Sequence, residues 1–233
     1  MIRLENVRFG YGEEAILKQL NFAIDSRELV GIVGESGSGK TTLSQLLLGI
    51  EAPDAGKMTL NLRSVLPIFQ HAYDSFNPKL RLEQSMNEPI RYYVKQRREN
   101  VQTRMLELMT EMDVPHALLE KYPDEVSGGQ LQRMNVIRTL MLEPDMIVCD
   151  EITSSLDVVA ERRMLSMLQH YYEAHQRAMV IISHDLAVLY QIVQRFIVLK
   201  DGVIVDDFET GELFSEERHS YTKELLSLYV DVE

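Results

Sequence analysis

Short apolar runs separated by turn residues fill the first 70 positions. Ile2–Phe9 is rich in β-formers and meets a turn at Gly10-Tyr11-Gly12. Leu20–Ile24 reads as a second strand. Leu29–Val33 (LVGIV) is a continuous apolar run of the kind that suits a strand covered on both faces. It meets a Gly-rich loop, Gly34 to Gly39. The pattern then changes to helical spacing over Lys40–Leu48, with Leu43, Leu46 and Leu47 on one face. After a turn at Pro53–Gly56, strands are predicted near Lys57–Leu60 and Leu66–Gln70.

The middle of the chain is polar and helical from about Leu82 to Leu119. Met105, Leu108, Met109 and Met112 form a core or partner-facing stripe, and Pro89 and Pro115 punctuate the stretch. A helix follows Ser127-Gly128-Gly129 and runs to about Met141. Strands and helices then alternate: strand Met146–Cys149, helix Val158–Tyr172, strand Met179–Ser183, helix Leu186–Val193, strand Phe196–Leu199. Asp201-Gly202 turns into a last strand, Val203–Asp206, and short helices are predicted near Glu212 and Tyr221–Tyr229. Such alternation implies a parallel α/β sheet. The expected architecture is α/β, with a parallel-sheet core, an N-terminal antiparallel β region and a helical insertion from roughly Asn77 to Val126.

Gly34-Glu35-Ser36-Gly37-Ser38-Gly39-Lys40-Thr41 fits the phosphate-loop pattern G-x-x-x-x-G-K-[ST], and Thr42 continues it into the helix. Its glycines let backbone N–H groups turn toward phosphate oxygens. Lys40 adds a point charge at the β/γ-phosphates, the Thr41 hydroxyl is a Mg²⁺ ligand, and the helix N-terminus favours anions. The flanking strand and helix are the context this pattern requires. Met146–Cys149 ends in two carboxylates, Asp150 and Glu151. Ligands of parallel sheets bind at strand carboxyl ends, so Asp150 is placed to hold the Mg²⁺ shell and Glu151 to take the proton of an attacking water. Ser127 is a candidate N-cap of its helix, and Gly128 and Gly129 open the backbone to close approach, which makes a second anion site. A plain capped helix start is the alternative there.

Composition narrows the field. Lys and Arg number 24 against 36 Asp and Glu, a formal charge of −12. That charge disfavours nucleic acid, whose binding needs cations to replace counterions. It also disfavours an anionic membrane surface unless a protein partner holds the chain there. A single cysteine, Cys149, excludes an internal disulfide framework or a Cys-based zinc site and reads as a core thiol. The opening MIRLENVRFG carries Glu5 and Arg8 where a signal peptide needs an apolar run. No apolar run approaches the ~20 residues of a membrane span, and the chain reads as cytosolic.

Taken together, the chain resembles an ABC transporter ATP-binding subunit over nearly its whole length. The phosphate loop, Ser127-Gly128-Gly129-Gln130 and Asp150-Glu151 stand in that family's order and spacing. The resemblance implies further roles. Gln70 matches the lid glutamine that senses Mg²⁺ and the membrane partner. Ser154-Ser155-Leu156-Asp157 matches the loop that crosses the dimer interface. His184 matches the switch histidine at the γ-phosphate, and Tyr11 the aromatic that stacks on adenine. The implied domain is a single ABC ATP-binding domain over 1–228, with core 1–76 and 127–228 and a helical subdomain over about 77–126. Departures from the family are Val126 before Ser127, Ile152 after Asp-Glu, Ser155, and His71-Ala72 after Gln70; those at the lid and the interface loop bear on lid geometry and ATPase rate.

Phe69–Pro78 (FQHAYDSFNP) and His219-Ser220-Tyr221-Thr222-Lys223 resemble stretches of the dipeptide, oligopeptide and nickel import group. Peptide-import members usually continue well past the second stretch, so the shorter form resembles the nickel import system ATP-binding proteins. What this implies is a subunit that binds and hydrolyses ATP with Mg²⁺ and energises nickel uptake, with a dipeptide/oligopeptide importer as the alternative. It would lie on the cytoplasmic face of the membrane, held by two permease subunits. ATP would be shared with a second, related ATPase subunit (a homodimer being the alternative), and an extracellular binding protein would act indirectly. Nickel itself would pass through other subunits: His170 and His175 are five apart and share no helical face well. A soluble ABC-type ATPase of DNA repair is disfavoured because no long coiled coil fits between Gln70 and Ser127. A non-hydrolysing regulatory module is disfavoured by Glu151 and His184.

Overall fold

The computed structural model describes residues 1–69, 72–93, 98–153 and 156–230. The chain forms two compact units. One comprises residues 1–67, 145–151 and 169–233; the other comprises 68–144 and 152–168.

The first unit contains two sheets. β1 (Ile2–Tyr11) pairs antiparallel with β2 (Glu14–Ile24) and with β4 (Ala55–Leu60), giving the order β2-β1-β4. The second sheet has six strands in the order β5-β6-β7-β3-β8-β9, with β3 (Leu29–Val33), β5 (Val65–Ile68), β6 (Met146–Asp150), β7 (Ala178–Ser183), β8 (Arg195–Lys200) and β9 (Val203–Glu209). β6, β7, β3 and β8 run parallel, and β9 returns antiparallel. All five residues of β3 and all six of β7 are buried, as their unbroken apolar runs require. Between the sheets' side chains, Leu43, Leu46 and Leu47 of α1 (Lys40–Leu47) are fully buried in one cluster with Ile32, Val148, Val180, Ile182 and Ile197. Each such side chain contributes about 1.5–3 kcal/mol of transfer free energy. This packing fixes where α1 starts, and hence where the loop before it sits.

The second unit is helical: α2 (Leu82–Tyr93), α3 (Arg98–Glu111), α4 (Gly128–Leu140) and the first part of α5 (Val158–His175). Met105, Leu108, Met109 and Met112 are buried, the core role their spacing suggested. Two short helices, α6 (Leu186–Tyr190) and α7 (Ser220–Val230), complete the first unit.

Several boundaries differ from the sequence reading. β2 begins at Glu14, six residues before the expected strand, because pairing with β1 recruits Glu14–Gln19 (EAILKQ), a stretch that has no apolar alternation of its own. The pairing shifts register between Leu4 and Val7, where Asn6 takes φ +53° and its N–H donates to Asn21 Oδ1; that bulge is what breaks the alternation of β1. Tyr11 belongs to β1 and not to a turn. Pro89 lies inside α2, whose apolar positions Leu82, Met86 and Ile90 are buried in spite of it. α6 stops at Tyr190 and not at Val193, and the segment at Glu212 is a single 3₁₀ turn, Thr210–Glu212.

Candidate functional site

β3 delivers the chain into the glycine loop. A Cβ at Gly34 would lie 2.2 Å from the Leu199 carbonyl oxygen of β8 and 2.8 Å from Ser38 Oγ, so no side chain fits. Gly39, just before α1, takes φ +102°, a conformation glycine adopts without steric cost. Lys40 opens α1 with only 5% of its surface exposed. Its Nζ donates to the carbonyls of Gly34 (2.7 Å) and Glu35 (2.8 Å). Burial pulls the ammonium below its ordinary range, and Glu151, Asp150 and Glu35 oppose that shift. Ser38 Oγ is buried with no hydrogen-bond partner among the described residues, an unsatisfied polar group of the kind that calls for an explanation. Ser36, Gly37 and Thr41 are exposed, while Thr42 is buried.

The second arm of the site is the end of β6. Asp150 is held by α1: Ser44 Oγ donates to its Oδ2 at 2.9 Å. Burial raises the Asp150 carboxyl above its usual range, and the Ser44 hydrogen bond pulls it back toward ionisation. Thr41 and Asp150 supply a hydroxyl and a carboxylate, the hard oxygen donors that suit Mg²⁺. Glu151 takes φ +47°, a left-handed conformation that costs a non-glycine residue of order 1 kcal/mol. The turn is held because the Glu151 N–H donates to the Ile182 carbonyl of β7 at 3.0 Å. From the end of β7, His184 brings Nδ1 to 3.7 Å from Glu151 Oε1. Asp185 beside it caps α6 by accepting from the Val188 N–H. Lys40, Asp150, Glu151 and His184 thus stand at or just beyond the carboxyl ends of three neighbouring parallel strands, β6, β7 and β3. Cys149 is wholly buried and burial pushes its thiol well up, so it is no nucleophile.

Tyr11 is half exposed at the end of β1. Its hydroxyl donates to Gln45 Oε1 of α1 at 2.8 Å, and its ring stands edge-on to Phe9 with centroids 5.1 Å apart. One flat aromatic surface is therefore steadied on the helix that follows the glycine loop.

In the second unit, Ser127 caps α4 as its residue type suggested. The Gln130 N–H donates to Ser127 Oγ (3.3 Å) and the Ser127 N–H donates to Gln130 Oε1 (3.0 Å), a reciprocal capping box. A Cβ at Gly128 or Gly129 would meet nothing within 4 Å. These glycines are open rather than cramped, so a ligand can approach the backbone N–H groups of the first turn. Arg133, one turn on, braces this end by donating to the Met112 and Asp113 carbonyls. Asp157 Oδ1 accepts from the Val159 and Ala160 N–H groups and so starts α5. Between Gly129, Arg133 and residues 156–160 lies a groove of about 700 Å³. Gln70, Ser154 and Ser155 lie outside the described residues.

Sequence reasoning did not single out Ser44 or Gln45. Ser44 was detectable: it falls one turn after Lys40 among leucines that all face inward, and a buried hydroxyl there needs a partner.

Residues 17–154 match the ABC transporter family profile. Nickel import system ATP-binding proteins NikE of Staphylococcus aureus are 46% identical over 98% of this chain and 99% of their own length. Among solved structures, the dimeric post-hydrolysis state of the ATP-binding cassette MJ0796 bound to ADP and Pi superposes with a TM-score of 0.78 at 26% identity, covering 90% of this chain and 99% of that one. CbiO1 of Clostridium perfringens, part of the ABC transporter complex cbiONQ, shares the fold with a TM-score of 0.81 at 21% identity, covering 98% of this chain and 95% of that one. With the phosphate loop, the acidic strand end and the capped Ser-Gly-Gly turn set out above, the chain belongs to the ABC transporter family, as one of its ATP-binding and ATP-hydrolysing subunits.

Proposed function

We propose that this chain energises nickel import as one of two ATPase subunits bound to the cytoplasmic side of a pair of membrane-spanning permeases. The convergence of Lys40, Asp150, Glu151 and His184 at one sheet edge carries the chemical part of this reading. The nickel cargo is supported by the full-length likeness to the Staphylococcus aureus import proteins. No helix among the described residues is long and apolar enough to cross a membrane, and attachment through partner subunits accords with that.

In this reading the loop N–H groups and Ser38 Oγ receive the phosphates, and Lys40 leaves the Gly34 and Glu35 carbonyls for oxygens of the β/γ-phosphates. Thr41 and Asp150 would hold Mg²⁺, with Gln70 as a further oxygen donor. Mg²⁺ bound there would neutralise charge developing on the transferred phosphoryl group. Glu151 accepts a proton from the attacking water and His184 donates a hydrogen bond to the γ-phosphate. Tyr11 stacks on the adenine. The far side of ATP is closed by Ser127, Gly128, Gly129 and Gln130 of a second subunit, with Asp157 in the loop across that interface; the dimeric cassette among the structural neighbours supports this arrangement. The second subunit is a related but distinct chain, and an extracellular binding protein delivers cargo to the permeases.

A dipeptide or oligopeptide cargo is the second reading, because the stretch that Phe69–Pro78 resembles is shared by peptide and nickel importers. Uptake of radioactive nickel and of a labelled dipeptide by cells lacking this chain separates the two. Loss of nickel uptake alone supports the first reading; loss of peptide uptake alone replaces it.

A further inference from the structure

The segment His219-Ser220-Tyr221-Thr222-Lys223 has no part in the chemistry above, yet it holds one of the most buried large side chains in the molecule. Tyr221 is 2% exposed. The Glu35 backbone N–H donates to its hydroxyl oxygen at 3.0 Å, across 186 positions of sequence. The peptide unit that joins Gly34 to Glu35 is therefore held at both ends. Its carbonyl accepts from Lys40 Nζ at 2.7 Å and its N–H donates to Tyr221.

The tyrosine is itself firmly seated. Lys200 Nζ lies 4.2 Å from the ring centroid. Asp206 of β9 anchors the start of α7 through one carboxylate oxygen, which accepts from the His219 N–H (2.8 Å) and from Thr222 Oγ1 (2.9 Å). His219 Nδ1 accepts from the Tyr221 N–H at 3.2 Å. Arg218 closes on the other oxygen of Asp206 at 3.6 Å and stacks over Phe208. Burial pushes the phenol above its ordinary range, so at neutral pH it is a neutral hydroxyl able to accept.

We infer that Tyr221 is a positioning residue of the nucleotide site: its hydroxyl fixes the Gly34–Glu35 peptide so that the loop keeps its shape when Lys40 turns from the loop carbonyls to phosphate. The inference rests on reading Gly34–Thr41 as that site. Lys40 braces the loop from inside without nucleotide, and any ligand that recruits its charge removes that brace. What then holds the Gly34–Glu35 peptide from outside the loop is the Tyr221 hydroxyl at the Glu35 N–H, while further along the Gly202 N–H holds the Ser38 carbonyl and the Ser38 N–H still donates to the Glu35 carbonyl at 3.2 Å. Loss of the first leaves a backbone N–H without its partner and the first turn of the loop free to rotate.

Tyr221→Phe deletes the acceptor and keeps the ring. Tyr172→Phe is the control, because it deletes another buried hydroxyl of the same unit, bonded to the Arg27 carbonyl and Gln194. Two quantities are read: the equilibrium affinity for a fluorescent ADP, and hydrogen exchange at the Glu35 amide without nucleotide. The expected result for Tyr221→Phe is affinity about five- to tenfold weaker with faster exchange at Glu35, while Tyr172→Phe changes neither. Unchanged affinity in Tyr221→Phe overturns the inference, whatever the exchange shows. An equal loss in Tyr172→Phe also overturns it, as a general effect of destabilisation. If the unaltered chain binds no ADP, the site reading itself fails and takes this one with it. Should Tyr221→Phe not fold, Thr222→Val cuts the anchor to Asp206 while leaving Tyr221 in place. It is expected to show a smaller change in the same two quantities, and no change in either overturns the inference.

Discussion

Ser44→Ala removes one hydroxyl and no packing of consequence. Ser44 is 3% exposed, and its Oγ donates to Asp150 Oδ2 at 2.9 Å while also lying 3.1 Å from the Thr41 carbonyl. A hydrogen bond to a charged acceptor contributes about 1.5–3 kcal/mol. Asp150 is only partly buried, so the low end, about 1.5 kcal/mol, is the expected loss at neutral pH. At about 2–4 °C per kcal/mol for a chain of this length, thermal unfolding should move down by roughly 3–6 °C. The effect should depend on pH with a definite sign. The Asp150 carboxyl is raised in the folded state, so the native chain binds its proton more tightly than the unfolded chain. Ionising it costs stability, and that cost grows as pH rises from the ordinary carboxylate range through the raised folded value and is constant above it. Without Ser44 the carboxyl is raised further, so the gap between variant and parent should open as pH rises from the parent's folded value to the variant's higher one and stay constant above it. Chemical denaturation of both proteins at neutral and mildly acidic pH measures that gap. Repeating the pair in an Asp150→Asn background should shrink it below about 1 kcal/mol, because the acceptor is then neutral. A gap that is independent of pH and equal in both backgrounds refutes the assignment of Ser44 as the support of Asp150.

Two further outcomes are expected at the nucleotide itself. Lys40→Ala should lose most affinity for ATP, since it deletes the charge facing the phosphates; near-parental affinity in equilibrium binding contradicts that role. Tyr11→Ala should weaken ATP and ADP alike, by about 1–3 kcal/mol on the scale of base–aromatic stacking, because it removes a contact to the base and none to phosphate. A loss confined to ATP contradicts the stacking role.

The parts of the fold visible in the sequence are those in which local pattern and tertiary need coincide. Leu29–Val33 is apolar throughout because both faces of β3 are covered and all five residues are buried, and its expected and observed limits agree. Ser127 is legible as a cap because its hydroxyl works within three residues. β2 shows the opposite case: Glu14–Lys18 is a strand only because β1 lies beside it. The backbone of Glu151 could not be foreseen either, since its left-handed turn is imposed by the Ile182 carbonyl on a neighbouring strand. The same holds for Ser44 on Asp150, 106 positions away, and Tyr221 on Glu35. Residue types at fixed spacing announce which groups face the ligand, whereas the groups that hold them in place are chosen by the fold.

The central claim is that Glu151 is the base of a shared ATP site. Gln is close in size to Glu and hydrogen-bonds, but it does not take a proton from water. In Glu151→Gln, Lys40, Thr41 and Asp150 are untouched, so binding should persist while chemistry stops. The most direct measurement is size-exclusion chromatography with ATP and Mg²⁺, run beside phosphate release, on this subunit mixed with its partner ATPase. The account predicts a dimer that accumulates only with ATP and releases little phosphate from the Lys40 site of this chain. Parental hydrolysis at that site, with no ATP-dependent dimer, would contradict it.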